Sequence, residues 1–515
     1  MTVRNLDFLF KPRSVALIGA SPRPATVGDV VIRNLRAGGF AGPIMLVNPK
    51  HRAIDGLPVH PDVASLPTVP DMAIVATPPA TVPGLIAELG ARGTKAAIVI
   101  TAGFGAGTEA RRLKQAMLDA ARPHLLRIVG PNCLGVLIPG IGLNASFAHL
   151  PALKGRLAFL AQSGAVVGSV IDWATARGIG FSHLVSVGEM VDVDFGDLLD
   201  YFARDPEISA ILLYVEAVTQ ARKFMSAARL AARSKPVIVI KAGRHAEGAR
   251  AVASHTGAMA GSDAVYDAAF RRAGMLRVFA LDELFAAVET LSTATVPPGD
   301  RLAILTNGGG IGILATDALI DAGGRLAELS AETRRRLDGV LPATWSRGNP
   351  IDIVGDAPGA RYAEAMRVVL EDRGIDAILV LNCPTAIASS LEAARAVIET
   401  LGDRRRCVLT SWVGEETARQ ARALFAANGV PSYDTPERAV QALMQMVAYR
   451  RSQDMLMQTP ASIPEDFAPD RAAARAIVEA AMAAGREMLT GPESQAVVAA
   501  YDIATVGAAT AGAAC

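Results

Sequence analysis

The feature that most constrains this chain is a rhythm of short apolar runs alternating with amphipathic ones, which recurs along the chain. The first series has Ser14–Gly19, a helical pattern near Val27–Ala37, then Ile44–Val47, Met72–Val75, Ala96–Ile100 and Leu126–Val129. A second begins after Leu150-Pro151 with Leu157–Ala161, His183–Val187, Ala210–Val215 and Pro236–Lys241, and a helical pattern at Val166–Ala176. A third carries Leu302–Leu305, Ala377–Leu381 and Cys407–Ser411. Continuous apolar strands separated by helices build parallel sheets buried on both faces. The expected fold is therefore α/β, with three doubly wound, Rossmann- or flavodoxin-like domains in tandem, at 1–148, 149–296 and 301–453.

Pro297-Pro-Gly-Asp300 reads as the linker before the third domain, since two prolines and a glycine resist both helix and strand. From 454 to 515 the pattern changes. A loop carries Pro460, Pro464 and Pro469, a helix follows near Arg471–Ala484, Leu489–Gln495 opens another, and Gly- and Ala-rich sequence comes after Tyr501. This short helical extension is expected to be the truncated start of a further domain.

Composition excludes several classes. With 515 residues the chain is too long for one core. Its 51 basic and 50 acidic side chains leave a net charge of +1, so no electrostatic footprint marks a nucleic-acid or acidic-membrane partner. Cys133, Cys383, Cys407 and Cys515 are far apart and lack companion histidines, so no metal site or disulfide framework is expected. The N-terminus lacks the apolar core of a signal peptide, and no apolar run reaches membrane length. A reducing, cytoplasmic setting is expected.

In open α/β sheets, ligands bind where strands end and helices begin. The first such loop, Gly19–Gly28, lacks the GxGxxG spacing of a dinucleotide turn, and Asn48-Pro-Lys50 stands where a dehydrogenase carries its acidic ribose residue. A nucleotide phosphate remains possible there, held by Ser21, Arg23 and Lys50. Further strand ends carry Ala76-Thr-Pro-Pro79, Thr101–Gly105 and Gly130-Pro-Asn-Cys-Leu-Gly135, which let a ligand approach the backbone. Ser163-Gly164 and Gly308-Gly309-Gly310 each precede a helix, where free amides cradle a phosphate.

One histidine, His255, lies in a bed of small residues, Val252–Asp263, ahead of a helical run. It either carries a phosphoryl group or caps the helix that follows. Glu216 ends the strand Ala210–Val215 and is placed to hold one nitrogen of a histidine, leaving the other nucleophilic. Glu189 and Asp192 compete for this part and rank behind it on spacing.

Together these motifs resemble the nucleoside-diphosphate-forming acyl-CoA synthetases of the succinyl-CoA synthetase superfamily, in an order covering about residues 7–505. Ser254–Asp263 is similar to the phosphohistidine segment of the ADP-forming acetyl-CoA synthetase branch. The resemblance implies that His255 is phosphorylated, with Glu216 beside it. It makes 1–148 a CoA-binding domain, with Gly19, Ser21, Arg23, Lys50, Pro78 and Asn132 toward CoA. It makes 149–296 and 301–453 ligase domains whose Ser163, Gly164, Gly308, Gly309 and Gly310 face phosphate, and Asn349-Pro-Ile-Asp352 resembles a segment of the third.

The implied reaction is acid–CoA ligation through an acyl phosphate and a phosphohistidine, with a short-chain acid such as acetate, CoA, phosphate, and ADP or ATP with Mg²⁺. Leu489–Gln495 through Ala499–Asp502 looks like the opening of an ATP-grasp domain, so either an ATP-grasp partner subunit supplies that domain or the chain is a shortened version of a longer fused synthetase; an oligomer is expected. The alternative reading is a CoA-binding regulatory module of a protein acetyltransferase system, without ligase activity.

Overall fold

The computed structural model describes residues 3–105, 107–256, 261–402, 406–458 and 468–505, and within 253–256 the backbone alone. The chain divides into two compact units, Met1–Met457 and Gln458–Cys515.

The larger unit holds three mainly parallel sheets. The first contains β1 (Val15–Ile18), β2 (Ile44–Val47), β3 (Ala53–Ile54), β4 (Leu57–His60), β5 (Met72–Val75), β6 (Ala96–Val99) and β7 (Arg127–Val129), in the order β3-β4-β2-β1-β5-β6-β7. The second contains β8 (Gly135–Ile138), β9 (Leu143–Ser146), β10 (Lys154–Ala161), β11 (Phe181–Ser186), β12 (Ala210–Val215), β13 (Val237–Lys241) and β14 (Leu276–Val278), ordered β14-β13-β12-β10-β11-β8-β9. The third contains β15 (Arg301–Thr306), β16 (Arg325–Leu326), β17 (Ile351–Asp352), β18 (Ala377–Asn382), β19 (Cys407–Trp412) and β20 (Ser432–Tyr433), ordered β16-β15-β18-β19-β20 with β17 on β15.

In each sheet the chain leaves the first long parallel strand in one direction and then crosses to its other side. This creates a switch point at β1/β5, at β10/β12 and at β15/β18. The crevices at these points lie beyond the carboxyl ends of the strands, where helices start. The strands are mostly apolar, as suits sheets covered on both faces by helices, and β1, β5, β6, β11, β13, β18 and β19 are buried at every residue.

Two features differ from the expectation. The hairpin β8–β9 lies within 1–148, yet it joins the second sheet: β8 runs antiparallel to β11, with Leu137 opposite Leu184 and Val136 opposite Val185. That pairing buries an apolar hairpin against a partner nearly 50 positions away, which local periodicity does not register. The end of Pro297–Asp300 is likewise no loose linker. Asp300 is buried and pairs with Arg325 at 2.7 Å and Arg451 at 2.6 Å. Arg451 belongs to the long helix Pro436–Met457, whose Gln453 donates to the carbonyls of Ala232 and Gly274 in the second-sheet region, at 3.2 and 2.7 Å. One helix thus fastens the third sheet to the second.

In the smaller unit two helices, Arg471–Ala483 and Gly491–Ala499, form where the sequence suggests. Thr490 and Glu493 make a reciprocal capping box, and Arg486 pairs with Glu493 at 2.7 Å.

Candidate active site

A cavity of about 850 Å³ lies where the carboxyl ends of the first two sheets meet. Its walls come from the loops after β5 (Ala76–Pro79), β6 (Ile100–Ala102) and β7 (Asn132–Leu134), from the segment after β9 (Phe147–His149), and from the second-sheet loops around Gln162–Ala165, Gly188–Glu189 and Glu216.

The floor is the start of the helix Gly164–Thr175. Ser163 caps it, accepting the Val166 N–H at 3.4 Å, and Ser163, Gly164 and Ala165 of this first turn line the cavity. The lining face continues as Gly168, Ser169 and Asp172 at helical spacing. Gly164 has to be small, since a Cβ there would stand 3.1 Å from the Leu134 Cβ.

Glu216 is placed by its neighbour across the switch point. The Gln162 side-chain oxygen accepts the backbone N–H of Glu216 at 2.5 Å and of Ala217 at 2.8 Å, locking the turn after β12 to the end of β10. The third sheet repeats the device. Asn307 donates to the Cys383 carbonyl at 3.0 Å and accepts the Cys383 N–H at 2.8 Å across the β15/β18 switch point.

The two competing carboxylates are occupied with structural work. Glu189 pairs with Lys114, and Asp192 takes Arg127 at 3.0 Å and the Ile128 N–H at 2.8 Å. Glu189 lies on the wall, but its backbone is pinned: its N–H reaches the Pro131 carbonyl at 3.0 Å, and a Cβ on Gly188 (φ +54) would stand 2.2 Å from the same oxygen. The Gly130–Gly135 loop is thereby clamped, with the Asn132 N–H on the Thr101 carbonyl at 2.9 Å and the Leu134 N–H on Ser186 at 3.0 Å. Burial pushes the Cys133 thiol up to about 12, so it stays protonated and acts as packing.

The structure brings Pro78, Asn132, Ser163, Gly164 and Glu216 onto one wall. Gly19, Ser21, Arg23 and Lys50 lie beyond it, around the β1/β5 switch point. There Asn48 donates to the Ala20 carbonyl at 2.6 Å and accepts the Lys50 N–H at 2.8 Å, tying the two loops together. Gly19 has φ +96, and a Cβ on it would stand 2.5 Å from the Ala76 carbonyl oxygen. Gly308–Gly310 are absent from the cavity wall and start the helix Gly309–Asp321 of the third sheet, with Gly308 held by Thr306. His255 falls in the last turn of the helix Ala246–Thr256; its side chain lies outside the described residues, as do 257–260 entirely.

Sequence reasoning missed three residues. His149 and Asp172 line the cavity, and Lys241 is buried behind Glu216. The spacing Gly164, Gly168, Asp172 carried a signal, one small-residue helix face ending in a carboxylate.

Residues 13–139 match the family model described as CoA binding domain, 154–291 that of the succinyl-CoA ligase like flavodoxin domain, and 302–457 that of the ligase-CoA domain. The chain is 38% identical to the acetate–CoA ligase [ADP-forming] I of Archaeoglobus fulgidus, over 97% of this chain and 71% of that one. It is 39% identical to the alpha subunit of acetate–CoA ligase [ADP-forming] I of Pyrococcus furiosus, over 87% of this chain and 98% of the subunit. The chain belongs to the ADP-forming acetate–CoA ligase family. A solved structure of the dinucleotide-forming acetyl-coenzyme A synthetase 1 of Ca. Korarchaeum cryptofilum, in complex with phosphate and ADP, superposes with a TM-score of 0.77 at 35% identity, covering 89% of this chain and 99% of that one. These relatives are ligases and ligase subunits, which gives the regulatory reading no support. Family membership joins the three sheets into one ligase framework, and no described helix is long and apolar enough to cross a membrane.

Proposed function

We propose that this chain carries out the CoA-side half of an NDP-forming acid–CoA ligation, with acetate or another short-chain acid as substrate. The observation that carries it is the cavity at the junction of the first two sheets, which combines a capped helix N-terminus at Ser163 with the carboxylate of Glu216.

Phosphate attacks the thioester carbonyl of acyl-CoA, the C–S bond breaks, and CoA leaves as the thiol, giving an acyl phosphate. Free amides at Ser163 and Gly164 offset the phosphate charge, and a walled cavity keeps the mixed anhydride from water. His255 then attacks phosphorus through its neutral nitrogen, releasing the carboxylate, and Glu216 accepts a hydrogen bond from the other ring nitrogen. ADP finally takes the phosphoryl group to give ATP. In the opposite direction the same steps make acyl-CoA.

Gly19, Ser21, Arg23 and Lys50 suit the nucleotide end of CoA, because a tight backbone turn there sits beside two exposed cations. Pro78 and Asn132 suit the pantetheine arm on the way to the thioester. Gly308–Gly310 form a second phosphate cradle, toward the nucleotide half-reaction. An ATP-grasp partner would bring the Mg²⁺–nucleotide, the ligase would work as an oligomer, and a cytoplasmic setting supplies these substrates.

The test is phosphate-dependent release of free thiol from acetyl-, propionyl- and butyryl-CoA, with the acyl phosphate trapped as a hydroxamate. Thiol release that requires phosphate and is matched by hydroxamate is expected. Release without phosphate, or none with any of the three, contradicts the reading.

A further inference from the structure

Lys241 ends β13 beside the end of β12, where the register pairs it with Val215, the residue before Glu216. It is 2% exposed. A lysine ammonium in such a place is costly unless neighbouring groups compensate it. Its Nζ donates to the Ala242 carbonyl and stands 4.7 Å over the Tyr266 ring. The Tyr266 hydroxyl in turn accepts the Val218 N–H at 3.1 Å, so the ring beneath the ammonium also ties down the loop that begins with Glu216.

Behind Lys241, Arg277 pairs with Asp263 at 2.6 Å and Asp267 at 3.2 Å. Burial lowers the Lys241 pKa, the charge of Asp263 opposes that fall, Arg277 adds to it, and Glu216 opposes it. With Arg271 on Asp267 at 2.6 Å, the cluster sets three cations, Lys241, Arg271 and Arg277, against the three carboxylates of Glu216, Asp263 and Asp267. Loss of Lys241 would leave two cations, both committed to Asp263 and Asp267, in a region to which the reaction delivers further negative charge.

We propose that Lys241 is a positioning residue for phosphoryl transfer: seated on the Tyr266 ring and the Ala242 carbonyl, its ammonium balances Glu216 and fixes the loop that carries it. Lys241 is absent from the cavity wall, so it acts through Glu216 and not on substrate. This inference rests on the reading of His255 and Glu216 as the phosphoryl-transfer pair.

The test gives the full chain acetyl-CoA, Mg²⁺ and labelled phosphate and follows acid-labile protein label. Wild type, Lys241→Met, Lys241→Arg and His255→Ala are compared, with CoA affinity and thermal midpoint measured on each. Lys241→Met is expected to lower the labelling rate about 30-fold, with CoA affinity within about threefold of wild type, since a group that positions the phosphoryl-transfer carboxylate alters kcat and spares binding. Lys241→Arg restores labelling to within about tenfold of wild type, because the charge is kept while the geometry is imperfect.

A lysine with a merely structural part would move midpoint, CoA affinity and rate together, with Arg no better than Met. That result overturns the inference, as does a folded Lys241→Met chain that labels at the wild-type rate. Should Lys241→Met fail to fold, Lys241→Arg decides: labelling retained supports the inference, and labelling lost with CoA affinity intact overturns it. A wild type with no label above the His255→Ala background refutes the underlying reading of His255, and this inference with it.

Discussion

The side chain of Gln162 holds Glu216 by its backbone: one amide oxygen accepts the N–H of Glu216 at 2.5 Å and of Ala217 at 2.8 Å. The carboxylate at the end of β12 is therefore positioned by a residue at the end of β10, on the opposite side of the switch point.

Replacing Gln162 with alanine leaves both of those buried amides without this acceptor. Each such group costs about 1–3 kcal/mol, so Gln162→Ala is expected to lower stability by about 2–6 kcal/mol in urea unfolding. Phosphohistidine formation should fall further than CoA binding, because the displaced group is Glu216.

His183 supplies a pH prediction. It is 7% exposed between Phe10 and Phe202, with ring centroids at 5.4 and 4.8 Å, and its Nδ1 has no hydrogen-bond partner among the described residues. Burial pushes its pKa down to about 4, Asp205 opposes the fall and Lys11 adds to it. Because the folded value lies below the unfolded one, the unfolded chain binds more protons between about pH 6.5 and 4. The neutral ring's contribution is fully present above pH 6.5 and lost as pH falls through this window, on the order of 3 kcal/mol in all. His183→Leu should flatten that part of the stability curve measured by denaturant unfolding.

Gly28 lies in the first turn of the helix Val27–Ala37, and a Cβ on it would stand 2.2 Å from the Gly19 carbonyl oxygen. Backbone has to move to relieve that contact. Gly28→Ala is expected to weaken CoA binding at least about tenfold by distorting the loop that approaches the ligand, with calorimetric titration as the measurement. Unchanged CoA affinity would remove this loop from the CoA site.

Leu456, on the long helix Pro436–Met457, is fully buried and packs against Gly274. Leu456→Ala should cost about 2–5 kcal/mol, the range for a buried leucine truncated to a cavity. The loss falls on the contact between the third and second sheets, so limited proteolysis should cut first near Pro297–Asp300.

Much of the fold was legible, for a physical reason. Ile44–Val47, Met72–Val75 and Ala210–Val215 are wholly apolar and punctuated by turn residues, and strands form at those same residues. The hairpins β3–β4 and β8–β9 were not, because their strands are short and their place is set by pairing with distant segments. Ser163 announced itself as a cap ahead of an apolar helix, and Glu216 as a carboxylate where an apolar strand stops. Lys241 did not, since a lysine ending a strand reads as a surface residue, and the Tyr266 ring that helps to hold it buried comes from 25 positions along the chain. Asp300 was misleading for the converse reason: two prolines and a glycine look like a linker, while its partners Arg325 and Arg451 come from far along the chain.

The central claim is that His255 carries the phosphoryl group between acyl phosphate and nucleotide. The most direct measurement is to expose the full chain to acetyl-CoA, Mg²⁺ and labelled phosphate, with and without an ATP-grasp protein, and to map the label by mass spectrometry beside a His255→Ala control. The account predicts acid-labile, base-stable label on His255, absent from the control and discharged by ADP when the ATP-grasp protein is present. Label on another residue, equal label in the control, or acyl phosphate turnover to ATP with His255 replaced would contradict it.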